Sequence, residues 1–177
     1  MYGEYALNFV PYKNRQRDME KIYGTTQRQD GLQRIGRNKW MLYYGYYETE
    51  GIAYEYRHTF DHKPSLDEIK EEVIKQINAD TDAKILSEFV WRGMPVWLSS
   101  ENQFNYKAAY DIAVQTEGAT LPVRFKFGTD KEAIYHKFET LEELRDFYVN
   151  CLSFVQNALD ECWEEKEGID WGVFGVE

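Results

Sequence analysis

The chain has 177 residues, a formal charge of −10, 43% hydrophobic and 16% aromatic residues. That composition supports a packed core and excludes global disorder, and the length suits one ordinary domain or a domain with an extra arm. The acidic total disfavours nucleic acid as a partner. It also hides a split, because residues 1–45 carry +4 and the remainder −14. A basic N-terminal part and an acidic body suit docking between neighbouring subunits.

In chain order, Tyr5 to Val10 reads as a short strand stopped by Pro11. Residues 13–39 are polar and Arg/Gln/Gly-rich with little periodicity, which is expected of an extended basic binding arm, with a short helix around Gln16–Tyr23. From Trp40 the pattern turns to period two. Trp40, Leu42, Tyr44 and Tyr46 alternate with Met41, Tyr43, Gly45 and Tyr47. Beyond a turn at Glu48–Gly51, Ile52, Tyr54, Tyr56, His58 and Phe60 form a second alternating run, and the pair predicts a β-hairpin with one solvated side.

Pro64 and Ser65 open a helix, with Ser65 and Glu68 spaced as a capping box and Leu66, Ile69, Val73 and Ile77 as its apolar stripe. The polar run Asn78 to Asp82 predicts a break. Residues 1–80 are then expected to hold the arm, the Tyr-rich hairpin and a helix, and residues 84–171 a ββαββα module. In that module Ile85–Trp91 and Pro95–Leu98 read as strands around Arg92-Gly93-Met94. Ser100 and Gln103 read as a capping box, followed by a helix with Phe104, Ala108 and Ile112 on one face, and Gly118 as its C-cap. Val123, Phe125 and Phe127 mark a strand, turning through Gly128 into Ala133–Phe138. Thr140 and Glu143 start a last helix whose stripe is Leu141, Leu144, Tyr148, Cys151, Leu152, Val155, Leu159 and Cys162. The fold class is α+β: antiparallel hairpins, amphipathic helices packed on one side, a long C-terminal helix and the basic arm.

Candidate chemistry is sparse. His58 and His62 stand four apart, but His58 falls in a strand, so a zinc pair is disfavoured and no metal or cofactor is expected. Cys151 and Cys162 are eleven apart on one helix, roughly 16 Å at the helical rise, which is beyond disulfide reach. They read as reduced, buried thiols of an intracellular protein. Glu142 and Glu143 suit a helix N-terminus, and Glu161, Glu164, Glu165 and Glu167 a solvated face. No phosphate loop or nucleophile elbow occurs in the sequence. Neither a basic, apolar leader nor a membrane-length apolar run is present, so synthesis in the cytoplasm is expected.

The run Phe89-Val90-Trp91-Arg92-Gly93-Met94-Pro95-Val96-Trp97-Leu98-Ser99-Ser100-Glu101-Asn102-Gln103-Phe104-Asn105 resembles the signature of an uncharacterised domain family of tailed phages and prophages, associated with tail-fibre and baseplate proteins. Thr140-Leu141-Glu142-Glu143-Leu144, Phe147-Tyr148, Trp163 and Lys166 resemble that family's final helix, so the likeness covers Ile85 to Trp171. It implies a phage tail or assembly context, with a virion tail as destination, and carries over no catalytic residues. The expected role is a non-enzymatic tail, baseplate or fibre-attachment component that binds copies of itself or other tail proteins. A fibre-assembly chaperone and a carbohydrate-binding module using exposed Tyr and Trp are the alternatives. The expected interaction surface comprises Arg15, Arg17, Arg28, Arg34, Arg37, Tyr43, Tyr47, Tyr54 and Tyr56.

Overall fold

A computed structural model describes residues 19–129 and 131–175. The strand expected at Tyr5–Val10 and the side chains of Arg15 and Arg17 lie outside the described residues. The protein is a mixed α+β fold with three antiparallel sheets and three helices among the described residues. It divides into two compact units, Met1–Lys75 with Trp171–Glu177, and Gln76–Asp170.

The first unit is built on a four-stranded sheet in the order β1-β4-β3-β2 (Glu20–Tyr23, Ile52–Phe60, Trp40–Thr49, Gly31–Arg34). Consecutive hairpins join β2, β3 and β4, and β1 closes beside β4, which is a Greek-key order with the long connection first. Residues 19–39 therefore contain two strands of the sheet, and Glu20–Tyr23 is strand rather than the expected helix. Each of these strands has only four residues, too few for a periodicity to show, and it is pairing with the long hairpin that orders them.

The hairpin β3–β4 forms as the alternation predicts, with one departure. Tyr44 pairs with Tyr56 but Tyr47 pairs with Tyr54, so β3 carries one extra residue. This bulge sits at Gly45, whose φ of +65° suits glycine, and the Gly45 N–H donates to Asp30 Oδ1 at 2.8 Å. Past the bulge the faces exchange, so that Tyr47, and not Tyr46, shares a face with Tyr44 and Tyr54.

Helix α1 runs Leu66–Ser87. Its predicted stripe is buried at Ile69, Val73 and Ile77, and His58 Nδ1 of β4 lies 3.5 Å from Glu72 Oε2. The capping box closes as expected: Glu68 N–H donates to Ser65 Oγ at 3.3 Å, while Glu68 Oε2 accepts from Ser65 N–H at 2.8 Å and its hydroxyl at 2.9 Å. The break expected at residues 78–82 is absent, because α1 continues through it. Thr81 donates its hydroxyl to the Ile77 carbonyl, and Asn78 and Lys84 are held by Lys166 and Glu161 of the last helix. Ile85 to Ser87 are thus helical, not strand.

The second unit follows the order ββαββα. Its first hairpin is minimal, β5 Val90–Trp91 and β6 Met94–Pro95, and is extended by the Val96 N–H donating to the Phe89 carbonyl. Helix α2, Ser100–Gln115, is capped by Ser99, one residue before the expected cap, with Asn102 N–H donating to Ser99 Oγ. Its buried face is Tyr106 and Ala113, whereas Phe104 is 71% and Ile112 45% exposed, the reverse of the expected stripe. Tyr106 wins the interior because its ring packs 4.7 Å from Phe125 and 5.0 Å from Phe147. At the C-terminus the Gly118 N–H donates to the Ala113 carbonyl and Glu117 N–H to Val114. That is a Schellman pattern with Glu117, not Gly118, in the first left-handed position (φ +51°).

Strands β7 (Val123–Gly128) and β8 (Ala133–Phe138) pair as expected, and Thr140 caps α3, Leu141–Glu167. The buried stripe of α3 is Leu144, Phe147, Cys151, Ala158 and Cys162; Leu152, expected inside, is 52% exposed. Among the described residues no helix is long and apolar enough to cross a membrane.

Two outcomes test these local devices. The bonds from Ser65, its backbone N–H first and its hydroxyl second, hold the Glu68 carboxyl down from 4.5 to about 2, with His62 assisting. A depressed folded value means that the stabilisation is complete above pH 4.5 and is lost as pH falls towards about 2. The urea midpoint of Glu68→Gln is expected to lie below wild type above that window and to converge with it at the acid end. Gly45→Ala puts a Cβ into a left-handed residue and is expected to destabilise by about 1–2 kcal/mol in urea unfolding.

Candidate functional site

Two clusters of side chains stand out, one in each unit. In the first unit, Lys21 and Tyr23 of β1 lie opposite Tyr56 and Tyr54 of β4, and Tyr54 lies opposite Tyr47 of β3. Directly paired residues share a sheet face. Tyr47 stacks on Tyr54 at 5.2 Å, Tyr23 meets Tyr54 edge-on at 5.8 Å, and Tyr54 meets Tyr56 at 5.8 Å. The Lys21 ammonium sits 3.6 Å from the Tyr54 ring centre. Tyr23 and Tyr47 are 64% and 48% exposed, and Ile52 beside them is exposed too. The result is a half-open tyrosine platform with a cation lying on it.

Of the expected surface residues, Tyr47 and Tyr54 belong to this platform. Tyr56 lies on the same face but is buried, so its place on the exposed surface is corrected: its ring meets Tyr54 edge-on and fills the space beside the Gly45 bulge. Tyr43 faces the opposite side of the sheet. There the Arg28 guanidinium stacks 3.9 Å from its ring centre and Arg57, paired with the buried Glu55, approaches to 5.5 Å. Arg34 turns back to the carbonyls of Gly36 and Arg37 in the β2–β3 hairpin and joins neither group. Sequence reasoning missed Lys21 and Tyr23, although their i, i+2 spacing places them on one face once β1 is known to be a strand.

In the second unit the two-residue turn Arg92-Gly93 carries φ of +48° and +78°. Such a turn favours Asn-Gly, and arginine is an unusual occupant of its first position. Its guanidinium donates to Glu143 Oε1 and to Asp146 Oδ2, both at 3.1 Å, and lies 4.4 Å from the Trp91 ring centre. Trp91 Nε1–H also donates to Asp146, and His136 Nε2 lies 3.1 Å from Glu143 Oε1. Glu143 was read as a helix-terminus acid. It also joins the β5–β6 hairpin, β8 and α3, a link between residues 51 positions apart that no local spacing announces. This cluster ties the hairpin to the helix.

The remaining titratable groups offer less chemistry. Burial pushes the Cys151 thiol up to about 12, so it stays protonated at neutral pH. Cys162 is buried and free as well, and Tyr106 is pushed up to about 12 by burial. Each histidine faces a carboxylate: His58 Glu72, His62 Glu68 and His136 Glu143. Among the described residues no three His, Cys, Asp or Glu side chains converge as metal ligands.

The fold and its sites define a mixed α+β protein with an exposed aromatic platform. Comparisons with protein-family models, with curated proteins and with solved structures each gave no match.

Replacing Arg92 tests the turn cluster. Its side chain is half exposed, so Arg92→Ala is expected to lower stability by only about 1 kcal/mol. Arg92→Asn should lose less, because asparagine tolerates the left-handed turn; urea midpoints of the two variants check the order.

Proposed function

We propose that the protein is a non-enzymatic interaction protein acting by protein–protein contact, as a tail, baseplate or fibre-attachment component of a phage or prophage. The observation that carries the contact role is the platform of the exposed Tyr23 and Tyr47 around the half-buried Tyr54, with Lys21 laid across it. Tyrosine gives a large contact area with little side-chain entropy to lose, and it is enriched where binding energy concentrates. The rings are already ordered by one another, which lowers the cost of association further. The tail context is supported by the sequence resemblance of residues 85–171. The basic N-terminal stretch, including Arg15 and Arg17, is proposed as a second contact, matched to the acidic remainder of a neighbouring copy or tail partner.

Removing residues 1–38 would delete β1 and β2 together, so point changes make the cleaner test. The double variant Tyr23→Ala/Tyr47→Ala is expected to weaken self-association or capture of tail proteins by at least about tenfold, with far-UV circular dichroism unchanged. Light scattering and pull-down of tail proteins provide the readout. A wild-type protein that stays monomeric at high concentration and captures no tail protein would overturn the reading. Finding it in particles purified from lysates, by mass spectrometry, separates a virion component from a transient assembly chaperone.

A further inference from the structure

The second unit holds a cavity of about 500 Å³ between the end of α1, the β6–α2 connection and the β7–β8 turn. Its walls include Ser87, Trp97, Asn102, Lys126, Phe127 and Thr129. The volume lies within the usual range for small-ligand sites, and the lining mixes one broad aromatic face with several polar groups, as such sites do. Trp97 is 51% exposed although it stands between the buried Val96 and Leu98. No cluster described above uses it.

The polar groups of the wall are partly committed, and what remains is informative. Asn102 Nδ2 donates to the Trp97 carbonyl at 2.8 Å, which fixes the amide and leaves its oxygen to accept. Ser87 donates its hydroxyl proton to the Ala83 carbonyl at 2.8 Å and keeps its lone pairs. Thr129 Oγ1 accepts from the Glu132 N–H at 3.2 Å and keeps its proton. Lys126 forms no ion pair among the described residues, in a chain whose net charge is −10.

We infer that this cavity binds a saccharide carrying a carboxylate, a uronic-acid type of sugar. The flat, open indole of Trp97 suits the C–H face of a pyranose ring. Remaining acceptors on Asn102 and Ser87, with a donor on Thr129, suit neighbouring hydroxyls, which both donate and accept. Lys126 supplies one positive charge for one carboxylate. A polyphosphate would meet a single cation inside an acidic protein, and a purely apolar ligand would strand the polar groups of the wall without partners. The inference stands apart from the tyrosine platform, which lies in the other unit, so either can fail alone.

Nuclear magnetic resonance titration of the ¹⁵N-labelled full chain tests it, with the Trp97 indole N–H assigned by comparison with Trp97→Phe. The probes are tetragalacturonate, a hyaluronan tetrasaccharide, neutral maltotetraose and inorganic phosphate. At least one acidic oligosaccharide is expected to shift the Trp97 resonance and to bind about tenfold or more tightly than maltotetraose. Trp97→Ala should weaken that binding about tenfold or more, and Lys126→Gln, an exposed change that leaves the fold intact, should bring acidic and neutral probes to near parity. The inference is overturned if neither acidic probe moves Trp97, if phosphate competes as well as the sugar, or if Lys126→Gln leaves the preference unchanged.

Discussion

The second unit is organised by one ring. Phe147 is fully buried, and its centroid lies 5.0 to 5.3 Å from the rings of Tyr106, Phe127, Phe138 and Trp91. These four rings come from α2, β7, β8 and β5, so a single side chain of α3 meets every other element of the ββαββα order except β6. A two-stranded hairpin with two residues in each strand has no stability of its own. Trp91 holds it by packing on Phe147, and the Arg92 turn then reaches Glu143 and Asp146 on the same helix. Phe127 belongs to this cluster and also walls the cavity beside Trp97, so the site inherits its shape from the core.

The first unit depends on a different constraint, the extra residue in β3. Without the bulge at Gly45 the alternation would turn Tyr46 towards Tyr54 and leave Tyr47 on the other face. The Asp30 carboxylate, which accepts from the Gly45 N–H, fixes the bulge from the loop before β2. A residue distant in sequence thereby decides which tyrosine is offered to solvent. Edge strand β1 completes the platform by bringing Lys21 and Tyr23 against β4, so the basic and aromatic character of the surface arises from separate segments.

Elements with a strong internal signal were legible. The β3–β4 alternation, the Ser65–Glu68 box, the α1 stripe and the β7–β8 pair all carry their information within a dozen residues or so, where propensity and periodicity operate. The short strands β1 and β2, the continuation of α1 through residues 78–82 and the inward face of α2 were not. Each is decided by partners outside the local window: β4 and β3 for the strands, Glu161 and Lys166 for the helix, Phe125 and Phe147 for Tyr106. The candidate sites follow the same division: the hairpin itself could be read from its alternation, whereas the bulge that sets Tyr47 beside Tyr54, the positions of Lys21 and Tyr23, and the Arg92–Glu143 contact could not.

The sequence by itself determined an acidic α+β protein with a tyrosine-rich hairpin, three capped helices and two cysteines too far apart on one helix to bond. It did so because composition and short-range periodicity are properties of neighbouring residues. Only the tertiary structure decided which tyrosines are exposed, that Tyr56 is buried, that Trp97 and Lys126 line one cavity, and that arginine occupies a left-handed turn. Those outcomes depend on a bulge, on edge pairing and on ring packing across the chain. Aromatic residues fit either a core or a surface, and only their packing partners settle which.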